Sequence, residues 1–266
     1  MPRTPTRGVT VAPPGGGAKP AEANGSYPWD RFDPRWYFHQ NYAELRDDDL
    51  EILRTVRDYF SAVLDPERPV ERGVDVGAGS NLYPALTMVP FCRELTLLER
   101  GAANVAWLQE QRKGYSSVWD AYWQVLSEKP AYDRISDPRE ALLHKGRVEQ
   151  GDLYQLPERR WDLATMFFVA ESISDQVSEF KMAVGRFIGA LRPGAPFAAA
   201  FMHDSAGYYV DRLRFPAVAV NEVDIAETLA PLVEDLDIRA IRSHKPLRDG
   251  YAGMIVALGK AGRTRA

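Results

Sequence analysis

The stretch GVDVGAGSNLYPAL, from Gly73 to Leu86, constrains the fold more than any other part of the chain. An apolar run carrying one acid ends in two glycines one residue apart, and a Tyr-Pro pair follows. Gly77 permits a sharp turn, and Gly79 permits close backbone approach by another group. A loop this bare belongs at the carboxyl end of a strand in an open α/β sheet, where such sheets bind ligands. The rest of the chain keeps the rhythm that such a sheet needs. Arg72–Val76 and Glu94–Glu99 read as strands, with a helix at about 101–113 after them. A helical insert carries Trp119, Tyr122 and Trp123 at core spacing, and a short strand near 147–150 leads to GDLYQLP. WDLATMFFVAESI has the continuous apolar centre of a strand buried on both faces. A helix at about 175–191, a strand in APFAAAFM and a helix at 222–233 capped by Asn221 come next. Arg239–Ser243 and Tyr251–Leu258 read as the closing strands. Strands alternating with helices predict a mostly parallel sheet with right-handed crossovers and helices on both faces.

Residues 1–26 are rich in Pro, Gly and Ala and hold no large aromatic, so they read as a disordered tail. Composition then changes abruptly at YPWDRFDPRWYFHQNYAEL. Aromatics at that density must pack on something, and residues 27–66 read as a helical cap. One helix starts near Pro34. A second runs from Asp47 to Leu64, with Leu50, Leu53, Val56 and Phe60 on one face and three acids at its positive end. The main domain is placed at 67–260, with a short tail at 261–266.

The net charge of −4 argues against a broad nucleic-acid surface. No apolar run reaches the ~18 residues of a membrane span. The single cysteine, Cys92, reads as a small buried residue, and one thiol without a partner suits a reducing, cytoplasmic setting. His39, His144 and His244 lack metal-ligand spacing, so no metal is expected.

Glu99 ends the second strand 20 residues after Gly79. A carboxylate there can accept hydrogen bonds from both ribose hydroxyls, which points to a nucleoside-containing cofactor. Dinucleotide sites favour a third glycine. Here Leu82, Tyr83 and Pro84 follow instead, which suits a pyrophosphate poorly. Asp75, two residues before Gly77, suits S-adenosylmethionine, which presents an ammonium and a carboxylate in place of phosphates. Glu171 and the pair His203-Asp204 follow the fourth and fifth long strands at the ligand-binding end. They are candidates to hold or remove a proton at an acceptor. Tyr37 and Tyr42 are five apart, roughly 140° on an ideal helix. Either the helix ends between them or one of them packs in the core.

These motifs together resemble the nicotinamide, phenylethanolamine and thioether methyltransferase family, including uncharacterised actinobacterial members, over about residues 30–260. FDPRWYFHQNYAEL resembles the family's N-terminal lid, VDVGAGSNLYPAL its first loop and LLERGAANVAWLQE its second strand and helix. ALRPGAPF is the common turn before the fifth strand, and SAGYYV resembles a substrate-side segment. The resemblance implies a Rossmann-like class I methyltransferase with a seven-stranded sheet and an added lid. It implies that Tyr42, Gly77, Asn81 and Tyr83 hold the methionine moiety, Glu99 and Asn104 the ribose, and Asp152 and Leu153 the adenine edge. Tyr37 and Tyr209 would wall the acceptor pocket. The family commonly has Asp where Glu99 stands and Thr where Asn81 stands. Its acid directly after the fifth strand is unmatched, because Met202 falls there. The implied activity is methyl transfer to a small-molecule acceptor, an amine or another neutral nitrogen, by a monomer or weak dimer. Two alternatives are a cofactor-binding protein without catalysis and an NAD(P)-dependent oxidoreductase.

Overall fold

The computed structural model describes residues 23–242 and 252–263. Seven strands form one sheet: β1 Val70–Val76, β2 Cys92–Glu99, β3 Gly146–Gln150, β4 Leu163–Phe167, β5 Pro196–His203, β8 Val233–Ile241 and β9 Gly253–Ala261. Their order is β3-β2-β1-β4-β5-β9-β8, with β9 antiparallel to both neighbours and the other pairings parallel. The order reverses between β1 and β4, so the crevice at their carboxyl ends is the switch point where ligands bind. β6 Tyr208–Val210 and β7 Leu213–Phe215 form a separate hairpin.

The cap is α1 Pro34–Asn41 and α2 Asp47–Val63. Asp33 caps α1 by accepting from the amides of Arg35 and Trp36, and Pro34 sits where a helix tolerates proline. α2 buries Ile52, Leu53, Val56 and Phe60, the apolar stripe legible in the sequence. Leu50, expected on that face, is only partly buried. α3 Tyr83–Met88 and α4 Ala102–Lys113 follow, then α5 Val118–Leu126, which buries Trp119, Tyr122 and Trp123. α6 Pro130–Asp133, α7 Pro138–Lys145, α8 Val177–Gly189 and α9 Glu222–Leu229 complete the helices. Asn221 caps α9 in a reciprocal box with Asp224. Among the described residues no helix is long and apolar enough to cross a membrane.

Several boundaries differ from the sequence reading. Asn24–Ser26, assigned to the tail, form a 3-10 turn, and Asn24 is buried. β4 ends at Phe167 because Phe168 takes a left-handed backbone, φ 59°. α9 stops at Leu229, four residues short, and β8 starts at Val233, six residues early. Ala261, assigned to the C-terminal tail, pairs with Val233 in the sheet. Residues 1–22, His244 and Tyr251 lie outside the described residues.

One buried acid pair lies under the cap. Asp49 is buried on α2 and accepts from the Tyr83 hydroxyl at 3.0 Å. Burial, and then neighbouring Asp48, push its carboxyl up to about 7. The native state therefore holds a proton that the unfolded chain releases near pH 4, and stability falls as pH climbs from there towards 7. Asp49→Asn keeps an acceptor for Tyr83 and removes this dependence. Relative to wild type, the variant is expected to gain on the order of 2 kcal/mol between pH 5 and pH 8. Urea unfolding at the two pH values checks it, and parallel wild-type and variant curves would refute it.

Candidate functional site

A cavity opens at the switch point. Its floor is the glycine loop. Gly77 and Gly79 both adopt positive φ, 69° and 52°. The amides of Gly77 and Ala78 donate to the Leu98 carbonyl, which fixes the loop to the end of β2. Glu99, the last residue of β2, is buried and lines the cavity. Its Oε2 accepts from the Gly79 amide at 3.0 Å and its Oε1 from the Gly101 amide at 2.8 Å. Burial raises its pKa, while those amides and the Asn104 side chain pull it down.

Asn81, Asn104, Asp152 and Leu153 line the same cavity. Asn81 accepts from the Tyr83 amide through Oδ1, which leaves its Nδ2 for another partner. Asn81 Nδ2, Asn104 Oδ1 and the Ser80 hydroxyl are buried with no hydrogen-bond partner. Three unsatisfied polar atoms around one cavity are what a bound polar ligand relieves. This donor and acceptor set fits S-adenosylmethionine: an amide donor beside the glycine loop for a carboxylate, and Glu99 with Asn104 for a ribose. Asp152 caps the 3-10 turn Leu153–Gln155 through Oδ1, which accepts from the Tyr154 amide.

The lid closes the other side. α1 ends at Asn41, and Tyr42 leaves the helical path with φ −130° and ψ 1°. Tyr37 and Tyr42 therefore both reach the cavity, ring centroids 6.1 Å apart. Trp29, Phe32 and Phe168 add rings to the wall. From the hairpin comes Tyr208, stacked on Phe215 and 6.1 Å from Tyr37.

Five predicted residues stand elsewhere. Tyr209 is 60% exposed and faces away from the cavity. Alternate residues of a strand point to opposite faces, so Tyr208 takes the place assigned to Tyr209. Asp204 also lies outside the lining, on the surface beside His203, with φ 53°. Tyr83 is wholly buried behind the loop, where its hydroxyl binds Asp49. Asp75 is buried beneath the loop and accepts from the Thr165 hydroxyl at 2.7 Å. Burial pushes its carboxyl up to about 8, with opposition from that hydrogen bond. Glu171 is wholly buried one layer behind the wall. Its Oε1 accepts from the Met202 amide and from the hydroxyl of Ser172, and Ser172 itself lines the cavity.

The sequence reading missed Asn24, Trp29, Phe32, Arg100, Phe168, Ser172 and Tyr208 as cavity residues. The aromatic density of 27–42 was a signal for Trp29 and Phe32. Strand alternation implies that only one of Tyr208 and Tyr209 turns inward, and the pairing of Tyr208 with Phe215 decides which. Phe168 sits in an apolar run that gives no hint of its left-handed backbone. Such conformations cost about 1–3 kcal/mol and cluster at functional sites.

Sheet order, switch-point cavity and aromatic lid define a Rossmann-like class I methyltransferase. The NNMT/PNMT/TEMT family model matches residues 22–252, and the chain belongs to that family. Phenylethanolamine N-methyltransferase from Homo sapiens is 25% identical over 244 residues, 81% of this chain and 84% of its own. The Macaca mulatta enzyme of that name is 24% identical over 259 residues, covering 87% and 88%. Magnesium protoporphyrin IX methyltransferase from Synechocystis PCC 6803, solved with bound SAM, superposes with a TM-score of 0.54 at 12% identity, covering 84% of this chain and 89% of that one. N-methyltransferase NodS from Bradyrhizobium japonicum WM9 gives 0.50 at 13% identity, covering 82% and 99%. At these identities the two structures speak for the fold alone.

Proposed function

We propose that this protein uses S-adenosylmethionine to methylate a small-molecule acceptor, an amine or another neutral nitrogen. The observation that carries this is Glu99, held by two loop amides at the cavity edge beside the unsatisfied Asn81 Nδ2 and Asn104 Oδ1. The names of the phenylethanolamine relatives support a nitrogen acceptor.

When bound, the cofactor supplies a methyl group already activated on a sulfonium. The chain's own work is to bind, align and exclude water. Gly77, Gly79, Asn81 and Tyr42 hold the amino-acid end, Glu99 and Asn104 the ribose, and Asp152 and Leu153 the adenine edge. Tyr37, Phe32, Phe168 and Tyr208 wall the acceptor. Their ring faces stabilise positive charge that develops on it. A protonated amine must lose a proton. Glu171 lies behind that wall, where its Oε1 accepts from the hydroxyl of the lining residue Ser172, and it is the candidate to take that proton through Ser172. Asp204 is exposed and bonded to His203, so it makes a poorer candidate.

A panel of amines, phenols, thiols and carboxylic acids, assayed with methyl-labelled cofactor, tests the acceptor class. Turnover confined to phenols or carboxylic acids would refute a nitrogen acceptor. The hairpin gives a second check. Tyr208→Ala removes a wall residue and is expected to lower kcat/KM by about 10- to 100-fold, about 1.4–2.7 kcal/mol, the scale of losing the apolar burial of a large side chain. Tyr209→Ala is expected to leave kcat/KM within about twofold. The reverse ranking would show that the hairpin presents Tyr209 to the acceptor.

A further inference from the structure

Asn24 belongs to neither the glycine loop nor a strand tip, yet it lines the cavity and is buried. Three elements converge on it. Its backbone N–H donates to Glu179 Oε2 on α8 at 2.8 Å. Its backbone oxygen accepts from the Trp29 indole N–H at 2.9 Å, and its side-chain Oδ1 accepts from Arg100 Nη1 at 2.9 Å. Arg100 directly follows Glu99, and its own carbonyl accepts from Gln150 Nε2 at 3.0 Å. The Trp29 carbonyl closes on the same corner, 3.1 Å from where a Cβ on Gly101 would stand. One asparagine thus ties the lid to α8 and to the tip of β2, over the end of the cavity that holds Glu99, Asp152 and Leu153. Arg100 is the cation among the described lining residues.

Resting on the cofactor reading above, we infer that Asn24 is a positioning residue for the cofactor. It draws Trp29 and Arg100 across the adenosine end and slows release. Cofactor exchange requires this strap to detach from Glu179 and Arg100. The Asn24 amide oxygen is the part of the strap that a point substitution removes cleanly, because both of its backbone bonds survive in alanine. Glu179 lies outside the cavity lining. A change in ligand release on altering Glu179 therefore reports the strap and not a lost ligand contact.

The test measures S-adenosylhomocysteine on the full chain by calorimetry for Kd and by stopped flow for the dissociation rate. The proteins are wild type, Asn24→Ala, Asn24→Asp and Glu179→Ala. Asn24→Ala is expected to raise both the dissociation rate and Kd by about five- to tenfold, the scale of one ordinary hydrogen bond lost from the strap. Asn24→Asp keeps an acceptor for Arg100 and should stay within about twofold of wild type. Glu179→Ala should speed release in the same direction. The ligand-free Tm of Asn24→Ala should stay within about 2 °C of wild type, which separates positioning from general destabilisation. Hydrogen exchange at 24–31 in the bound protein should be faster in Asn24→Ala than in wild type. Wild-type release from Asn24→Ala would overturn the inference and leave the cofactor reading intact. So would an Asn24→Asp variant as weak as Asn24→Ala with an equal fall in Tm. Failure of the wild-type chain to bind at all would overturn both.

Discussion

A Glu99→Ala variant is expected to bind S-adenosylhomocysteine about 10- to 150-fold more weakly than wild type, a loss of about 1.5–3 kcal/mol. Two losses add up. The ribose hydroxyls lose a carboxylate, whose hydrogen bonds are stronger than neutral ones. The amides of Gly79 and Gly101, which now donate to Oε2 and Oε1, lose their acceptor, so the loop is less well ordered before ligand arrives. Glu99→Gln separates the terms, since it keeps the shape and one acceptor oxygen while removing the charge. It should fall between wild type and alanine. The free carboxyl is raised by burial, so affinity should also tighten as pH rises through its titration in wild type and stay flat in the glutamine variant. Calorimetry at two pH values measures both effects. Wild-type affinity in Glu99→Ala would show that this residue does not hold the ribose.

Gly77→Ala is expected to damage folding and binding together. Its φ of 69° lies in the left-handed region, which costs an alanine about 1–2 kcal/mol. A Cβ there would also stand 2.6 and 2.8 Å from the two methyls of Val169. Val169 is β-branched, buried and part of the cavity wall, so it has little room to give. Overpacking of this kind adds about 1–3 kcal/mol. The summed cost of about 2–5 kcal/mol corresponds to a Tm lower by roughly 5–15 °C, and displacement of Val169 should weaken cofactor binding by more than tenfold. Gly79→Ala is the control. Its φ is 52°, but its Cβ would meet nothing closer than the Gly77 carbonyl at 3.6 Å. It should lose only the backbone part, about 1–2 kcal/mol. Equal Tm values for the two variants would show that the Val169 contact carries no weight.

Most of the cofactor half was legible because its signals are local, although Asp75 and Tyr83 turn behind the loop to Thr165 and Asp49 and do not line the cavity. A glycine turn, an acid at the next strand end and an asparagine five residues on are set by backbone geometry within short segments. Gly77, Gly79, Glu99 and Asn104 stand where the sequence implies. The acceptor half depends on long-range packing, and there the reading slipped by single residues. Tyr208 and Tyr209 are chemically identical neighbours, and only the pairing of Tyr208 with Phe215 decides which one turns inward. Glu171 was placed at the cavity mouth by its position after β4. The Met202 amide from the neighbouring strand draws its carboxylate behind the wall instead. Tyr37 and Tyr42 left two outcomes open, and the end of α1 at Asn41 selects the one in which both reach the cavity. Asn24 carried no signal at all, since its partners Glu179 and Arg100 lie 155 and 76 residues away.

The most direct test of the central claim is a thermal shift of the full chain with S-adenosylhomocysteine and, separately, with NAD. At ~100 times its dissociation constant, S-adenosylhomocysteine should add roughly 2.7 kcal/mol of stability, a rise in Tm of several degrees. NAD should add none, because Leu82 stands buried in the core where a pyrophosphate loop would place its third glycine. A shift with NAD and none with S-adenosylhomocysteine would contradict the account.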